Sequence, residues 1–233
     1  TGQLFDIGNT CAKAIRTYVI EQAEPTMCGD PSEFANGNGA LMRLAPLAIA
    51  LYDEPTFNQR AKKYRAYTQL THRHPRAVLG SIIYLETLWQ LLHGKTLSQA
   101  LAAVNLSFEA LPTAEEAEIP VYHRLFAANF KKLPVSAIKS SGYVVDTLEA
   151  AVWVAINARD LKSGIMSAAA LGQDTDTIAT IAASLMAASG SDAIPPEWWQ
   201  AIVNRELADS YIMPFAEKFG TTIESAESDG VKR

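Results

Sequence analysis

Cysteine is scarce in this chain. Of 233 residues only Cys11 and Cys28 are cysteines, with no C-x-x-C pair, which excludes a disulfide scaffold or a cysteine zinc module and leaves two reduced thiols suited to a cytoplasmic setting. No run of Lys or Arg exceeds two residues, and 20 basic against 25 acidic side chains give a formal charge of -5. A surface that tracks phosphate backbones is thereby excluded, so no nucleic-acid partner is expected. Long uncharged apolar runs are also missing, and the opening TGQLFDIGNT has neither a basic n-region nor an apolar h-region; no membrane partner is expected. The same opening lacks a methionine and enters patterned sequence almost at once, so further residues are expected upstream. Charged residues make up only 19%, hydrophobic ones 48%, and mean hydropathy is +0.02, which excludes a disordered regulator.

What is present is helical patterning. Apolar residues recur at i, i+3, i+4 and i+7 through nearly every segment, while strict alternation is hard to find. The spacing predicts helices near 9–22, 39–52, 55–70, 75–93, 96–104, 114–129, 142–158, 162–170, 175–189, 196–203 and 206–219. Asn9, Ser141 and Asp174 stand where caps belong, and Pro75 and Pro196 suit a first turn. No Pro/Gly/Ser linker interrupts the middle. The expectation is an all-α, compact, single multi-helix domain over 1–220 with a polar tail over 221–233. Trp198, Trp199 and the methionines are assigned to packing.

The strongest local signal is Gly172-Gln173-Asp174-Thr175-Asp176-Thr177 ahead of IATIAASLMAAS. The helix that follows reads as small or apolar on every face and therefore buried. Two carboxylates at its start, with no Lys or Arg between Lys162 and Arg205, call for compensation. A helix dipole supplies about 0.3–2 kcal/mol, less than the several kcal/mol of desolvation per ion. Two readings stand. A divalent cation held by Asp174, Asp176 and the Thr177 hydroxyl, all hard oxygens, would be Mg²⁺ or Mn²⁺. Alternatively Asp174 is an N-cap and Asp176 a first-turn acid met by an arginine from elsewhere. An EF-hand is excluded, since the sixth and twelfth positions from Asp174 are Ala179 and Leu185 rather than Gly and Glu.

Other constellations are weaker singly. Asn36-Gly37-Asn38-Gly39 precedes a helix and either presents N–H groups to a phosphate or is a plain turn. Asp6 and Asn9, in FDIGNT, read as a cap or as substrate contacts. His72 and His74, in THRHP, read as an H-x-H metal pair, as a lone pocket histidine, or as a solvated loop. Tyr143 opens a long apolar helix and either stacks on a base or packs; Asp146 is expected to take backbone N–H groups.

Taken together, FDIGNT, GNGALMRLAPL, THRHP, SGYVVDTLEAAVW and GQDTDTIATIAAS, in this order, closely resemble the ADP-ribosylglycohydrolase family, in particular its dinitrogenase reductase-activating branch. The resemblance covers residues 4–190. It implies an all-helical fold holding two Mg²⁺ or Mn²⁺ ions beside bound ADP-ribose, and hydrolysis of the bond joining ADP-ribose to a modified protein side chain, arginine above all. By that resemblance Asp174, Asp176 and Thr177 are metal ligands, and Asp6, Asp174 and Asp176 are the catalytic set. Asn36, Gly37, Asn38, Gly39 and Met42 meet phosphates and ribose, His72 the pyrophosphate and Tyr143 the nucleotide, with Asp6 and Asn9 beside the ribose and its leaving group. The family's upstream G-D-A-x-G and T-D-D-T motifs, which give the other half of the metal shell, do not occur here, and Asp30, in CGDPSE, has the wrong order and context to replace them. The expected outcome is an incomplete, weakly active chain, completed by an N-terminal segment supplied as a separate chain, or else a non-catalytic ADP-ribose-binding module.

Overall fold

The computed structural model describes residues 7–190 and 194–230. Among them are eleven α-helices: α1 (Asn9–Glu21), α2 (Leu41–Ala50), α3 (Phe57–Gln69), α4 (Pro75–Leu92), α5 (Leu97–Ser107), α6 (Thr113–Glu116), α7 (Val144–Asn157), α8 (Leu161–Ala170), α9 (Thr175–Ala188), α10 (Pro196–Gln200) and α11 (Arg205–Gly230). No strand occurs among the described residues, only two isolated bridges, Asp30 to His72 and Gly37 to Tyr143. No helix among them is long and apolar enough to cross a membrane.

The interior helix is α4. Its sequence AVLGSIIYLETLWQLL is apolar on nearly every face, and the stretch from Ala77 to Leu88 is buried without a break. A helix of that kind must be covered all round, and α2, α3, α5, α7 and α9 pack against it. Proline at its first turn, after His74, starts it without wasting an N–H. The hydroxyls within it are satisfied locally: Ser81 donates to the Ala77 carbonyl (3.0 Å) and Thr87 to that of Ile83 (2.7 Å).

One ion pair is enclosed by this packing. Arg60 of α3 donates through Nε and Nη2 to Glu86 of α4 at 2.9 and 2.6 Å, and through Nη1 to the Glu54 carbonyl at 2.7 Å. The guanidinium lies 3.6 Å from the ring centre of Trp89, and Gln90 donates to Glu86 at 2.8 Å. Both charged side chains are almost fully buried. The fork geometry and ring contact suit arginine and would not suit lysine.

Several expectations change. The predicted helix at 114–129 is instead α6 followed by a 3-10 run over Ile119–Phe126, because Pro120 has no N–H to give and clashes with the preceding turn. Working capping boxes sit at Thr96 with Gln99 and Asp160 with Ser163, not at the expected positions: Gly8 precedes α1, Tyr143 precedes α7, and Asp174, though at the N-cap of α9, makes no capping bond. Met27, Met42, Met166 and Met213 are exposed, and Met186 alone of the five is in the core. Trp198 and Trp199 are half-buried beside Lys162 and Arg205 rather than in the core.

The helix expected to be interior, α9, is one-sided. It buries Thr177, Ile178, Ile181, Ala182, Leu185 and Met186 against α7, α8, α4 and α2, while Asp176, Thr180 and Ala187 are exposed. Bulk is confined to one face; the alanines and threonines elsewhere on it have little area to hide.

Removing one partner of the enclosed pair leaves an uncompensated buried charge. Arg60→Ala is expected to cost about 3–5 kcal/mol in urea unfolding, whereas the double replacement Arg60→Met with Glu86→Leu should cost clearly less.

Candidate functional site

Backbone pairing brings the separated motifs together. The Asn38 N–H donates to the Gly142 carbonyl (3.0 Å) and the Val144 N–H to the Asn36 carbonyl (2.9 Å), so the glycine loop is laced to the start of α7. The Asp174 N–H donates to the Ser140 carbonyl (3.1 Å), which hangs the start of α9 on the same segment. On the other side, the Arg73 N–H donates to the Asp30 carbonyl (3.1 Å), joining the histidine loop to residues 28–32. The loop is a pinned turn rather than a flexible one.

Asn38 ties these pieces by its side chain. Its Nδ2 donates both to Thr147 Oγ1 (2.8 Å) and to Asp174 Oδ2 (2.7 Å), and Thr147 in turn donates to the Ser141 carbonyl (2.9 Å). The carboxamide explains why Asp174 does not cap α9: its oxygen is drawn sideways to a stronger, buried donor. Gly142 is required here, since a Cβ at that position would stand 2.9 Å from Asp174 Oδ2.

Asp174 is half-buried and Asp176 is exposed. Among the described residues neither carboxylate has a Lys, Arg or His within 4.0 Å, so the arginine-clasped reading finds no arginine. The burial expected for both is corrected: with Asp176 facing solvent, desolvation does not by itself demand a counter-ion there. The hard-oxygen donor set nonetheless fits a small divalent ion. Thr177 Oγ1 is buried with no hydrogen-bond partner, and a hydroxyl in that state is an unused ligand or donor. Three oxygens are about half of a six-fold shell, and no group of three His, Cys, Asp or Glu side chains suited to a metal forms among the described residues.

The glycine loop carries a second orphan. Asn36 is buried and its Nδ2 donates to the Glu33 carbonyl (2.8 Å), while its Oδ1 has no partner. An amide oxygen so placed is an acceptor for a hydroxyl. Beside it, His72 is buried, and a Cβ on Gly39 would fall 3.0 Å from Cys11 Sγ and 3.1 Å from the His72 Cε1, so the glycine lets the loop run close against the ring. Burial, with the Arg43 cation adding to it, pushes His72 down from 6.5 to about 4, so the ring is neutral at pH 7.

The remaining positions divide. Tyr143 is half-buried at the head of α7, packed on the core and bridged to Gly37. Met42 is exposed at the second residue of α2, its N–H on the Asn38 carbonyl (3.3 Å). Asn9 is exposed at the first residue of α1, and Asp6 lies outside the described residues. His74 is no partner of His72: its Nδ1 accepts the Arg76 N–H at the start of α4 (3.1 Å), which removes the H-x-H reading. Asp146 accepts the Ser141 hydroxyl (2.6 Å) rather than backbone N–H groups. Asp30 pairs with Lys13 of α1 (2.7 Å), which with the Ser32 N–H holds its carboxyl down at about 2. Sequence reasoning missed Thr147 as the second partner of Asn38; its place four residues after Tyr143, on one face of α7, was the available signal.

The sequence model of the ADP-ribosylglycohydrolase family matches residues 1–228. An ADP-ribosylarginine hydrolase, Tri1, of Pseudomonas putida (strain GB-1) is 32% identical over 204 residues, 86% of this chain and 51% of its own length. An ADP-ribosyl-[dinitrogen reductase] glycohydrolase of Rhodospirillum rubrum is 30% identical over 207 residues, 87% of this chain and 63% of its own. A solved structure described as an ADP-ribosylglycohydrolase-related protein complex superposes with a TM-score of 0.68 at 28% identity, covering 87% of this chain and 66% of that one. The chain thus spans about half to under two thirds of the length of the curated relatives named here.

Two outcomes are expected. Asn38→Asp sets a second carboxylate against Asp174, so unfolding at pH 7 should show a loss of about 1–3 kcal/mol. Because such a pair has a raised folded-state pKa, the deficit should shrink as the pH is lowered. For His72 the folded-state value lies below the unfolded one, so the unfolded chain takes up the proton first as pH falls. Stability should therefore decline between pH 6.5 and about 4, by up to about 3 kcal/mol, and His72→Gln should flatten that part of the urea-midpoint profile.

Proposed function

Since the chain belongs to the ADP-ribosylglycohydrolase family, we propose that it carries part of a metal-dependent hydrolase that cleaves the N-glycosidic bond between ADP-ribose and a modified protein side chain, arginine by preference. The observation that carries this reading is the meeting of Asn36, Asn38 and Asp174 on one laced segment, with two buried polar atoms, Asn36 Oδ1 and Thr177 Oγ1, left unpaired. The relatives' names, an ADP-ribosylarginine hydrolase and a dinitrogen reductase glycohydrolase, support the substrate class. The free thiols Cys11 and Cys28 support a cytoplasmic setting.

Each residue has a role in this reading. Asn36 Oδ1 accepts a ribose hydroxyl, and Gly37, Asn38 and Gly39 offer a close backbone surface to ribose and phosphate, with Met42 at the edge. His72, neutral, donates to a pyrophosphate oxygen. Tyr143 lends a ring face to the nucleotide, while Asn9 and Asp6 flank the ribose and the departing guanidinium. Asp174, Asp176 and Thr177 would hold Mg²⁺ or Mn²⁺. Such ions, when bound, polarise ribose hydroxyls and lower the pKa of water. Asn38 keeps Asp174 Oδ2 oriented and leaves its other oxygen for that duty. A site of two ions needs more ligands than these three residues provide, and the further ones come from water or from a separate N-terminal segment.

The absence of a three-carboxylate cluster among the described residues favours one other reading, a module that binds ADP-ribose without cleaving it. Calorimetry with ADP-ribose and Mn²⁺, paired with release of ADP-ribose from an ADP-ribosylarginine protein, separates the two. The hydrolase reading expects binding by this chain and chelator-sensitive release once the remaining segment is supplied, with Asp174→Ala lowering release by roughly 100-fold or more. Binding with no release in any combination supports the module; no binding of ADP-ribose at all removes both.

A further inference from the structure

His72 is held by a relay that begins on α2. Arg43 Nη2 donates to Thr71 Oγ1 (2.7 Å) and to the Tyr67 carbonyl (3.3 Å). Thr71 Oγ1 in turn lies 2.8 Å from His72 Nδ1. A threonine hydroxyl has one proton and two lone pairs. With one lone pair taken by a guanidinium N–H, its own proton is polarised into a better donor, and among the described residues it has no acceptor other than His72 Nδ1. Were Nδ1 to carry hydrogen instead, one oxygen would face two inbound protons while its own found no partner. The satisfied arrangement has the hydroxyl donating to Nδ1, which must then be a bare lone pair.

In a neutral imidazole the proton is then on Nε2. That atom faces the glycine loop: Cβ atoms built on Gly37 and Gly39 fall 3.7 and 3.6 Å from it. We propose that Thr71, set by Arg43, is a positioning residue that fixes His72 as the Nε2–H tautomer and turns this uncharged donor toward a diphosphate oxygen seated at the Asn36–Gly39 loop. The ligand part rests on the function proposed above; the tautomer part does not.

The test is a long-range ¹H–¹⁵N correlation spectrum of the labelled chain at neutral pH, with calorimetry of ADP-ribose binding. The wild-type chain should show the Nε2–H pattern for His72. Thr71→Val should shift it toward the Nδ1–H form and weaken ADP-ribose binding roughly tenfold or more, and Thr71→Ser should restore both. Arg43→Met, which changes an exposed side chain, should weaken the tautomer preference in the same direction and serves if Thr71→Val does not fold. An Nδ1–H pattern in the wild type, or an unchanged pattern in both Thr71→Val and Arg43→Met, overturns the relay. A shifted tautomer with undiminished ADP-ribose affinity overturns the phosphate contact. No ADP-ribose binding by the wild-type chain overturns the proposed function and that contact together, while the wild-type spectrum still decides the tautomer.

Discussion

The site depends on one buried carboxamide. Asn38 donates one hydrogen to Thr147 and the other to Asp174, so a single side chain fixes the glycine loop, α7 and α9 against each other across more than a hundred residues of sequence. A neutral amide suits this place for a physical reason. It satisfies a half-buried carboxylate without neutralising it, so the charge of Asp174 remains available to something else. A lysine or arginine there would hold the same segments while cancelling the charge.

Most of the architecture was legible because it rests on periodicity. The 3.6-residue apolar repeat located α1 to α5 and α7 to α9 to within a few residues, and Pro75 marked the start of α4. What failed was what depends on contacts rather than on pattern. Pro120 turned a predicted helix into 3-10 turns, and the sideways pull of Asn38 took Asp174 away from capping. The sequence of α9 read as apolar all round, but unlike α4 it has large side chains on one face only; its alanines made it look interior when half of it is not.

The candidate residues were found by motif, and the fold supplies the reason for their order in the chain. Asn36–Gly39 and Ser140–Tyr143 each run just before a helix, Asp174–Thr177 is the N-cap and first turn of another, and backbone pairing lines up these three helix starts. The roles of Thr71 and Arg43 were illegible because each serves another side chain and neither belongs to a spacing pattern that names its task. Asp176 shows the converse: a conspicuous carboxylate whose exposure lessens the electrostatic urgency its neighbours in sequence suggested.

The lacing of residues 36 and 38 to 144 and 142 bears on the entropy of binding. Amide and carbonyl groups already joined across that seam have their ordering entropy charged to folding, so a visiting molecule meets a rigid rim and loses little by settling there. A rim set in advance by backbone pairing selects by shape, and its selectivity is fixed when the chain folds rather than when a partner arrives.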